Sequence, residues 1–219
     1  MGAMPEAVRP IDVIRVHGTV RTEDADRAAV EEPLEIRLHG RPFAVVMRTP
    51  GNDRELAAGF LLSEDVLSGP DDLSAMASCQ DAENVLNVTL VGNVVGRLDA
   101  RGAAAVRADG WPARRRLFAP DGRLETVAED VGRHNAVDKV VGRMLLAETF
   151  PIANRVLCVS GRASFEIVQK AYLAGIPVVA SVSPPSSLAI DLARDLGLTL
   201  VGFVRRSAFN VYSHSERIS

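Results

Sequence analysis

Three short apolar runs separated by two amphipathic segments dominate the second half of the chain. The runs are nearly continuous in hydrophobic residues, as strands covered on both faces require, and comprise residues 155–161, 176–182 and 198–204. The segments between them, 164–174 and 187–196, have helical apolar spacing and end at Gly175 and Gly197. This order predicts adjacent parallel strands joined by right-handed helical crossovers. Within the first helix, Glu166 and Lys170 are spaced for an i, i+4 ion pair.

A further amphipathic helix is predicted after Gly132. Its apolar stripe recurs at i, i+3, i+4, i+7 and i+8 and consists of Val137, Val140, Val141, Met144 and Leu145. His134 and Asp138 lie one turn apart along the rim of that stripe. At this position they could orient one another or bind a ligand, or they could simply be solvated.

The first half of the chain has a mixed pattern. Residues 34–47 alternate around His39-Gly40, which predicts a hairpin, and a helix is expected from Asn52 or Asp53 to Leu67. Before them come a partly alternating segment, 11–20, and an apparent charged loop, 21–30; after them two strands are expected at 84–91 and 93–98.

The periodic pattern is lost in the short region from Arg101 to Arg116, which is rich in Ala and Arg and interrupted by Gly and Pro. We therefore expect a linker there, with Arg114–Arg116 as a solvated basic run, followed by a hairpin that turns at Pro120-Asp121-Gly122. The predicted fold is α/β, with a small α+β N-terminal domain (8–104) and a larger α/β domain (105–219).

Composition narrows the class of protein. The chain has 219 residues, a net charge of −3, 47% hydrophobic and 24% charged residues, which is typical of a globular protein. The charge argues against nucleic acid or an acidic membrane as a partner, and no apolar run approaches the roughly 18 residues that span a bilayer. The first residues contain no apolar core of a secretory signal. With only two cysteines, Cys79 and Cys158, far apart in sequence, a reducing cytoplasm fits best.

Polar and basic residues follow the three predicted parallel strands. The strand ends read Ser160-Gly161-Arg162, Ser181-Val182-Ser183 and Val204-Arg205-Arg206-Ser207. Ligands of open α/β sheets bind at this edge, helix N-termini there favour anions, and arginine offers a planar fork for phosphate. A phosphate-bearing ligand is therefore predicted, although the loops of many α/β proteins are polar.

Several long segments closely resemble the FdhD/NarQ family of formate dehydrogenase accessory sulfurtransferases. They include EEPLEIRLHGRPFAVVMRTPG, EDVGRHNAVDKVVG, SGRASFEIVQKAYLAGIPVVASVSPPSSLA and LTLVGFVRRSAFNVYSH. The resemblance covers most of the chain in order. It implies a cytidine-deaminase-like fold for the C-terminal domain and a cytoplasmic homodimer. It further implies a protein that takes persulfide sulfur from a cysteine desulfurase and passes it to the bis-(molybdopterin guanine dinucleotide) molybdenum cofactor of formate dehydrogenase.

The resemblance also implies a cofactor loop after the last parallel strand. The matching positions are Phe203, Val204, Arg205, Arg206, Ser207 and Ala208. Ser207 and Ala208 depart from the glycine and second basic residue of some members. Together with Arg162 and His134, these residues are our predicted cofactor-binding set, and GDP is the expected surrogate ligand.

One departure from the family concerns the chemistry itself. Members carry a CxxC motif before the hairpin that precedes EDVGRHNAVDK, whereas this chain has none, and neither Cys79 nor Cys158 matches the persulfide-carrying position. No catalytic residue is therefore assigned. A zinc deaminase is rejected because the chain has neither H-x-E at His134 nor PCxxC. Two hypotheses remain: a sulfurtransferase accessory protein, and a non-catalytic chaperone that binds the guanine nucleotide or the cofactor.

Overall fold

The computed structural model describes residues 7–79, 82–92, 105–106, 113–206 and 208–218. The chain opens with an antiparallel ribbon of two strands, β1 (Val8–His17) and β2 (Val20–Ala29), which turns at Gly18. The charged segment 21–30, expected to be a loop, is thus mostly strand. Its charged side chains are compatible with pairing because they are exposed, and one of them, Asp24, accepts a diagonal hydrogen bond from Arg15 Nε over 2.6 Å.

A five-stranded sheet follows, with the order β5-β6-β3-β4-β7. Its strands are β3 (Glu32–Leu38), β4 (Arg41–Arg48), β5 (Leu73–Ser78), β6 (Val85–Leu90) and β7 (Ala105–Val106). The predicted β3–β4 hairpin is confirmed. Its turn residues His39 and Gly40 both have positive φ, 51° and 78°, as the tight turns that match strand twist require. The strand expected at 93–98 lies outside the described residues.

Helix α1 (Asp53–Ser63) packs against this sheet and is shorter than predicted. The expected helix ran to Leu67, but Asp65 has a left-handed φ of 58°, which ends the helical path. Leu67 is nevertheless 1% exposed, because the turn after the helix returns it to the core. The apolar spacing that placed Leu67 in the predicted helix therefore reflects its burial in the core and not a helical conformation.

The second half of the chain forms a six-stranded sheet with the order β13-β12-β11-β10-β8-β9. The strands are β8 (Ala113–Phe118), β9 (Leu124–Asp130), β10 (Val156–Val159), β11 (Val178–Ser181), β12 (Thr199–Arg205) and β13 (Ala208–Ser213). The predicted parallel arrangement of β10, β11 and β12 is confirmed, as is the β8–β9 hairpin. The crossovers are α3 (Phe165–Leu173) and α4 (Ser187–Asp195), and α2 (Arg133–Leu146) follows β9. Among the described residues, no helix is long and apolar enough to cross a membrane.

The prediction of a linker over residues 101–116 is wrong at its C-terminal end, where the chain forms strand β8. Ala113, Arg115 and Leu117 face inward on β8, and β8 pairs with β10 and β9 in the sheet interior. Arg115 is 0% exposed, so the prediction of a solvated basic run is wrong for this residue, whereas Arg114 is exposed as expected. The sequence pattern failed here because the arginine occupies an inward position that an apolar residue normally takes.

Helices α1 and α2 join the two sheets into one hydrophobic core. Their backbones approach so closely that a Cβ atom added to Gly142 would lie 1.8 Å from Glu55 O, and one added to Gly59 would lie 2.0 Å from Asp138 O. Only glycine fits at either position. The architecture is a mixed α/β fold, and because the helices share this core, a domain division at residues 104 and 105 stays a prediction.

Candidate functional site

The carboxyl ends of β10, β11 and β12 lie side by side at one edge of the six-stranded sheet. The loops that leave this edge are tied together by Ser181, which is 1% exposed. Its hydroxyl donates to Gly161 O over 2.6 Å and accepts from Ser183 N at 3.1 Å. These buried hydrogen bonds hold the two loops in place and thereby position their exposed residues.

The β12–β13 turn occupies the outer part of this edge and contains most of the predicted cofactor-binding residues. Phe203, Val204 and Arg205 end β12, Arg206 lies in the turn and Ala208 begins β13. Ser207 lies outside the described residues. Phe203 and Arg206 have positive φ, 54° and 42°, in a register irregularity of the β12–β13 pair. Such backbone strain in non-glycine residues concentrates at functional sites.

Two features of this turn suit a flat, anionic ligand. The guanidinium group of Arg205 is held by Val182 O, to which Nη1 donates over 2.5 Å, and by Val204 O at 3.0 Å. Phe203 and Phe209 are 43% and 47% exposed, which is unusual for large aromatic residues. The turn therefore presents positive charge next to aromatic surface on which a planar ring can stack.

Arg162 and His134, the other predicted binding residues, lie elsewhere. Arg162 is exposed in the loop after β10, two strands from the turn. His134 Nε2 lies 2.7 Å from Glu166 Oε2 and 3.4 Å from Ser164 Oγ, at the start of α3. No described contact joins His134 to the β12–β13 turn.

The cluster around His134 differs from the predicted pairing. Glu166 pairs with His134 and not with Lys170, whose ammonium group instead contacts both carboxylate oxygens of Asp138 at 2.7 and 2.8 Å. Asp138 also accepts from Ser63 Oγ at 2.9 Å and thus belongs to the contact between α1, α2 and α3. His134 and Asp138 line one small cavity of about 160 Å³ without bonding to each other.

Burial lowers the pKa of His134 below its ordinary value of 6.5, because desolvation penalises the imidazolium ion. The carboxylate of Glu166 acts in the opposite direction, and the positive charge of Arg133 reinforces the decrease. At neutral pH His134 is therefore a neutral ring. It can accept or donate a hydrogen bond but does not supply charge for an anion.

The segment EDVGRHNAVDK largely forms a connection between the two sheets. The buried side chain of Asp130 accepts from Thr49 N at 3.1 Å, from Gly132 N at 2.8 Å and from Asn135 Nδ2 at 2.9 Å. Its other partner is Lys139 Nζ, 2.6 Å away. Fully satisfied buried networks of this kind specify one packing arrangement.

Arg115 is a functional candidate that the sequence reasoning missed. Its Nη1 donates to Ser160 Oγ at 3.4 Å and to Arg114 O at 3.2 Å, whereas Nε and Nη2 are buried and have no hydrogen-bond partner in the described part of the chain. Burial lowers the pKa of Arg115 to about 10, with a smaller contribution from Arg133. Strict alternation along β8 was the available signal, since it places Arg115 on the same face as Leu117.

The two cysteines occupy separate places in the fold. Cys158 lies on central strand β10, and burial raises the pKa of its thiol despite the opposing charge of Arg116. Cys79 lines a cavity of about 390 Å³ together with the carboxylates of Glu32, Asp53 and Glu83. Arg37 lies near enough to Cys79 for an electrostatic interaction. Both thiols are free.

Comparisons with known proteins extend this description. The model of the FdhD/NarQ family matches residues 29–108 and 114–219. The chain is 43% identical over 265 residues to the sulfur carrier protein FdhD of Streptomyces coelicolor, which covers 94% of each chain. It is 39% identical to the protein of the same name from Saccharolobus solfataricus, covering 96% of this chain and 98% of the relative.

A solved structure is similar over the whole length. The crystal structure of a protein from Desulfotalea psychrophila, described as a formate dehydrogenase accessory protein, superposes with a TM-score of 0.82 at 26% identity, covering 98% of this chain and all of the other. The Streptomyces alignment is longer than the 219 residues of this chain, so part of that relative faces a gap. The family match is interrupted between residues 108 and 114, where the CxxC segment was expected.

Proposed function

The chain belongs to the FdhD/NarQ family, and from this premise we propose that it is an accessory protein of formate dehydrogenase. In this role it binds the bis-(molybdopterin guanine dinucleotide) molybdenum cofactor as cargo and supports its sulfuration with sulfur from a cysteine desulfurase. The relatives' name, sulfur carrier protein FdhD, supports the general role. A cytidine-deaminase-like C-terminal fold, a cytoplasmic location and a homodimer belong to the same proposal.

The β12–β13 turn is the observation that carries the proposal. The cargo ends in guanine nucleotides, each of which combines a planar base with phosphate. The turn offers matching chemistry: the exposed ring of Phe203 for stacking and the guanidinium groups of Arg205 and Arg206 for charge. Val182 O holds the Arg205 fork in a defined orientation before any ligand binds, which reduces the entropy lost on binding.

Isothermal titration of GDP tests this assignment. Each charge-assisted contact to phosphate contributes roughly 1.5–3 kcal/mol, so the double variant Arg205→Ala, Arg206→Ala should bind at least tenfold more weakly than the wild type. Arg123→Ala is the matched control, because Arg123 follows the β8–β9 turn, at the opposite edge of the same sheet, with its side chain 65% exposed. Equal affinity of the double variant and the wild type would refute the assignment.

A second candidate function is a cofactor-binding chaperone without a sulfur relay. Two observations favour it: the chain has no CxxC motif, and the thiol of Cys158 is partly buried with a raised pKa. Persulfide transfer requires an exposed thiolate in electropositive surroundings. This function retains the nucleotide site at the β12–β13 turn, so the two candidates differ only in whether the chain accepts sulfur.

A further inference from the structure

The charge around Arg115 is not balanced within the described part of the chain. Arg115 is 0% exposed, and at a pKa of about 10 its guanidinium group remains positive at neutral pH. No ion pair there involves Arg115 or its neighbour Arg133. A buried cation without a counter-ion is costly, and such groups in folded proteins are normally paired or bound to an ion.

The carboxylates on the neighbouring elements do not form ion pairs with these arginines. Asp130 pairs with Lys139 at 2.6 Å. Glu166 lies 2.7 Å from the neutral ring of His134, and its side chain is 58% exposed, so solvent screens its charge. Glu129 pairs with Arg114 on the outer face of the sheet. Among the described residues, positive charge therefore accumulates where β8 begins and β10 ends, and no carboxylate there pairs with Arg115 or Arg133.

The N-terminal turn of α2 adds hydrogen-bond donors to this positive region. The helix has 14 residues, and its N-cap Gly132 provides no side-chain cap. Within the described residues, no acceptor contacts the backbone N–H groups of Arg133, His134 and Asn135. Uncapped N–H groups and the positive end of the helix dipole favour a bound anion.

From these observations we propose that Arg115, Ser160 and the N-terminal turn of α2 form a binding site for a phosphoryl oxyanion. The guanidinium fork contributes Nε and Nη2, which have no hydrogen-bond partner among the described residues, and its planar geometry matches two phosphoryl oxygens. The site is distinct from the β12–β13 turn, because β11 and β10 separate β12 from β8 in the sheet.

The buried position of Arg115 has a consequence for binding. Its Nη1 donates to the hydroxyl of the exposed Ser160, so the guanidinium group lies one side chain below the surface. The hydrogen bonds of Nη1, 3.4 and 3.2 Å, are long. Because Nε and Nη2 are themselves buried, an anion reaches them only when the side chains that cover the guanidinium group, Ser160 among them, move aside.

Thermal denaturation in sodium phosphate, compared with sodium chloride at equal ionic strength, tests the site without the cofactor. Phosphate should raise the melting temperature of the wild type in a saturable way. Arg115→Met, which keeps most of the side-chain volume, should bind phosphate at least tenfold more weakly, and the control Arg123→Met should bind like the wild type. No phosphate-specific shift in the wild type, or equal affinity in Arg115→Met, would overturn the proposal.

The melting temperature without phosphate separates ligand binding from a structural role. Arg115→Met removes an unpaired buried charge, so it should melt higher than the wild type. A lower melting temperature with unchanged phosphate affinity would mean that Arg115 is structural. If Arg115→Met does not fold, Ser160→Ala and Arg133→Met replace it. A loss of phosphate affinity of at least threefold in either variant supports the site, and unchanged affinity in both overturns it.

Measuring the GDP affinity of Arg115→Met shows whether the site binds a phosphate group of a nucleotide or a free phosphate ion. A tenfold loss of GDP affinity in Arg115→Met means that the site holds a phosphate of the nucleotide; unchanged GDP affinity with lost phosphate binding means that it holds a free phosphate ion, and both results support the site. The variant Arg205→Ala, Arg206→Ala should keep its affinity for inorganic phosphate. Failure of the proposed function and failure of this inference therefore give different results.

Discussion

The carboxylate of Asp130 and the ammonium group of Lys139 form an ion pair of 2.6 Å in which both side chains are excluded from solvent, at 0% and 1% exposure. Lys139 Nζ also donates to Thr49 O at 2.9 Å, and Asp130 accepts from Thr49 N. The pair thus attaches the end of β4, in the five-stranded sheet, to the connection between β9 of the six-stranded sheet and helix α2. A desolvated pair of this kind is stable only while both partners are present.

Removal of Lys139 should destabilise the protein strongly. Lys139→Met leaves the carboxylate of Asp130 buried without its counter-ion, which costs about 3–5 kcal/mol in the free energy of unfolding. The double variant Asp130→Asn, Lys139→Met should recover part of that loss, because no isolated charge remains. Urea denaturation measures both effects. Arg123, whose side chain is 65% exposed and lies 3.4 Å from Glu125, is the control, and Arg123→Met should cost about 1 kcal/mol or less.

Gly142→Ala tests the contact between α1 and α2, because two effects on stability have opposite signs. Helix propensity alone would make alanine more stable by about 1 kcal/mol. The added Cβ would lie 1.8 Å from Glu55 O, and relieving that clash should instead cost about 1–3 kcal/mol. Gly69→Ala has open space around the new Cβ and should change little. The denaturant midpoints of the variants show whether Gly142→Ala raises or lowers stability. A variant more stable than the wild type would contradict the close approach of the α1 and α2 backbones.

The pH dependence of stability should reveal His134. Burial holds its pKa below the ordinary value of 6.5, so below that pH the unfolded chain binds more protons than the folded chain. The resulting stability is fully present above about pH 6.5 and is lost as the pH falls toward the folded pKa. His134→Gln should therefore lose less stability than the wild type between pH 7.5 and pH 5. Thermal melts at each pH measure this, with His17→Gln as the control on the exposed β1 strand. Parallel curves for wild type and His134→Gln would show that the burial of His134 does not matter energetically.

The elements that were predicted correctly are those in which the local sequence pattern alone determines the structure. The apolar runs that became β10, β11 and β12 lie inside the sheet, and β10 and β11 have one buried and one partly buried face, so hydrophobicity alone revealed them. The β3–β4 hairpin followed from alternation around His39-Gly40, which adopts the required positive φ. In these elements, local sequence and tertiary environment impose the same demand.

The missed features depend on partners that are distant in sequence. Glu166 and Lys170 have the spacing of a helical ion pair, but His134 and Asp138 from another helix compete for them at 2.7 Å. Arg115 looked solvated because its burial depends on its neighbours in β9, β10 and α2. The cofactor turn came from family resemblance, and its predicted residues Arg162 and His134 lie apart from it. Spacing along one chain cannot reveal such long-range contacts.

The last prediction concerns sulfur itself. A relay needs a thiolate that accepts a persulfide and a geometry that releases it to an acceptor. The thiol of Cys158 has a raised pKa on a central strand, and Cys79 lies in a cavity lined by three carboxylates. We expect the protein to take up no stable label when it is incubated with a cysteine desulfurase and radiolabelled cysteine and then separated on a non-reducing gel. A relative that carries the CxxC motif is the positive control.

Label that remains on this chain and disappears in Cys79→Ala would show that Cys79, with Arg37 nearby, has taken over the relay. Loss of label only in Cys158→Ala would contradict the argument that burial makes the Cys158 thiol unreactive. No label together with GDP binding leaves the cofactor-binding chaperone as the function, because the nucleotide site and the sulfur site are then separable in this chain.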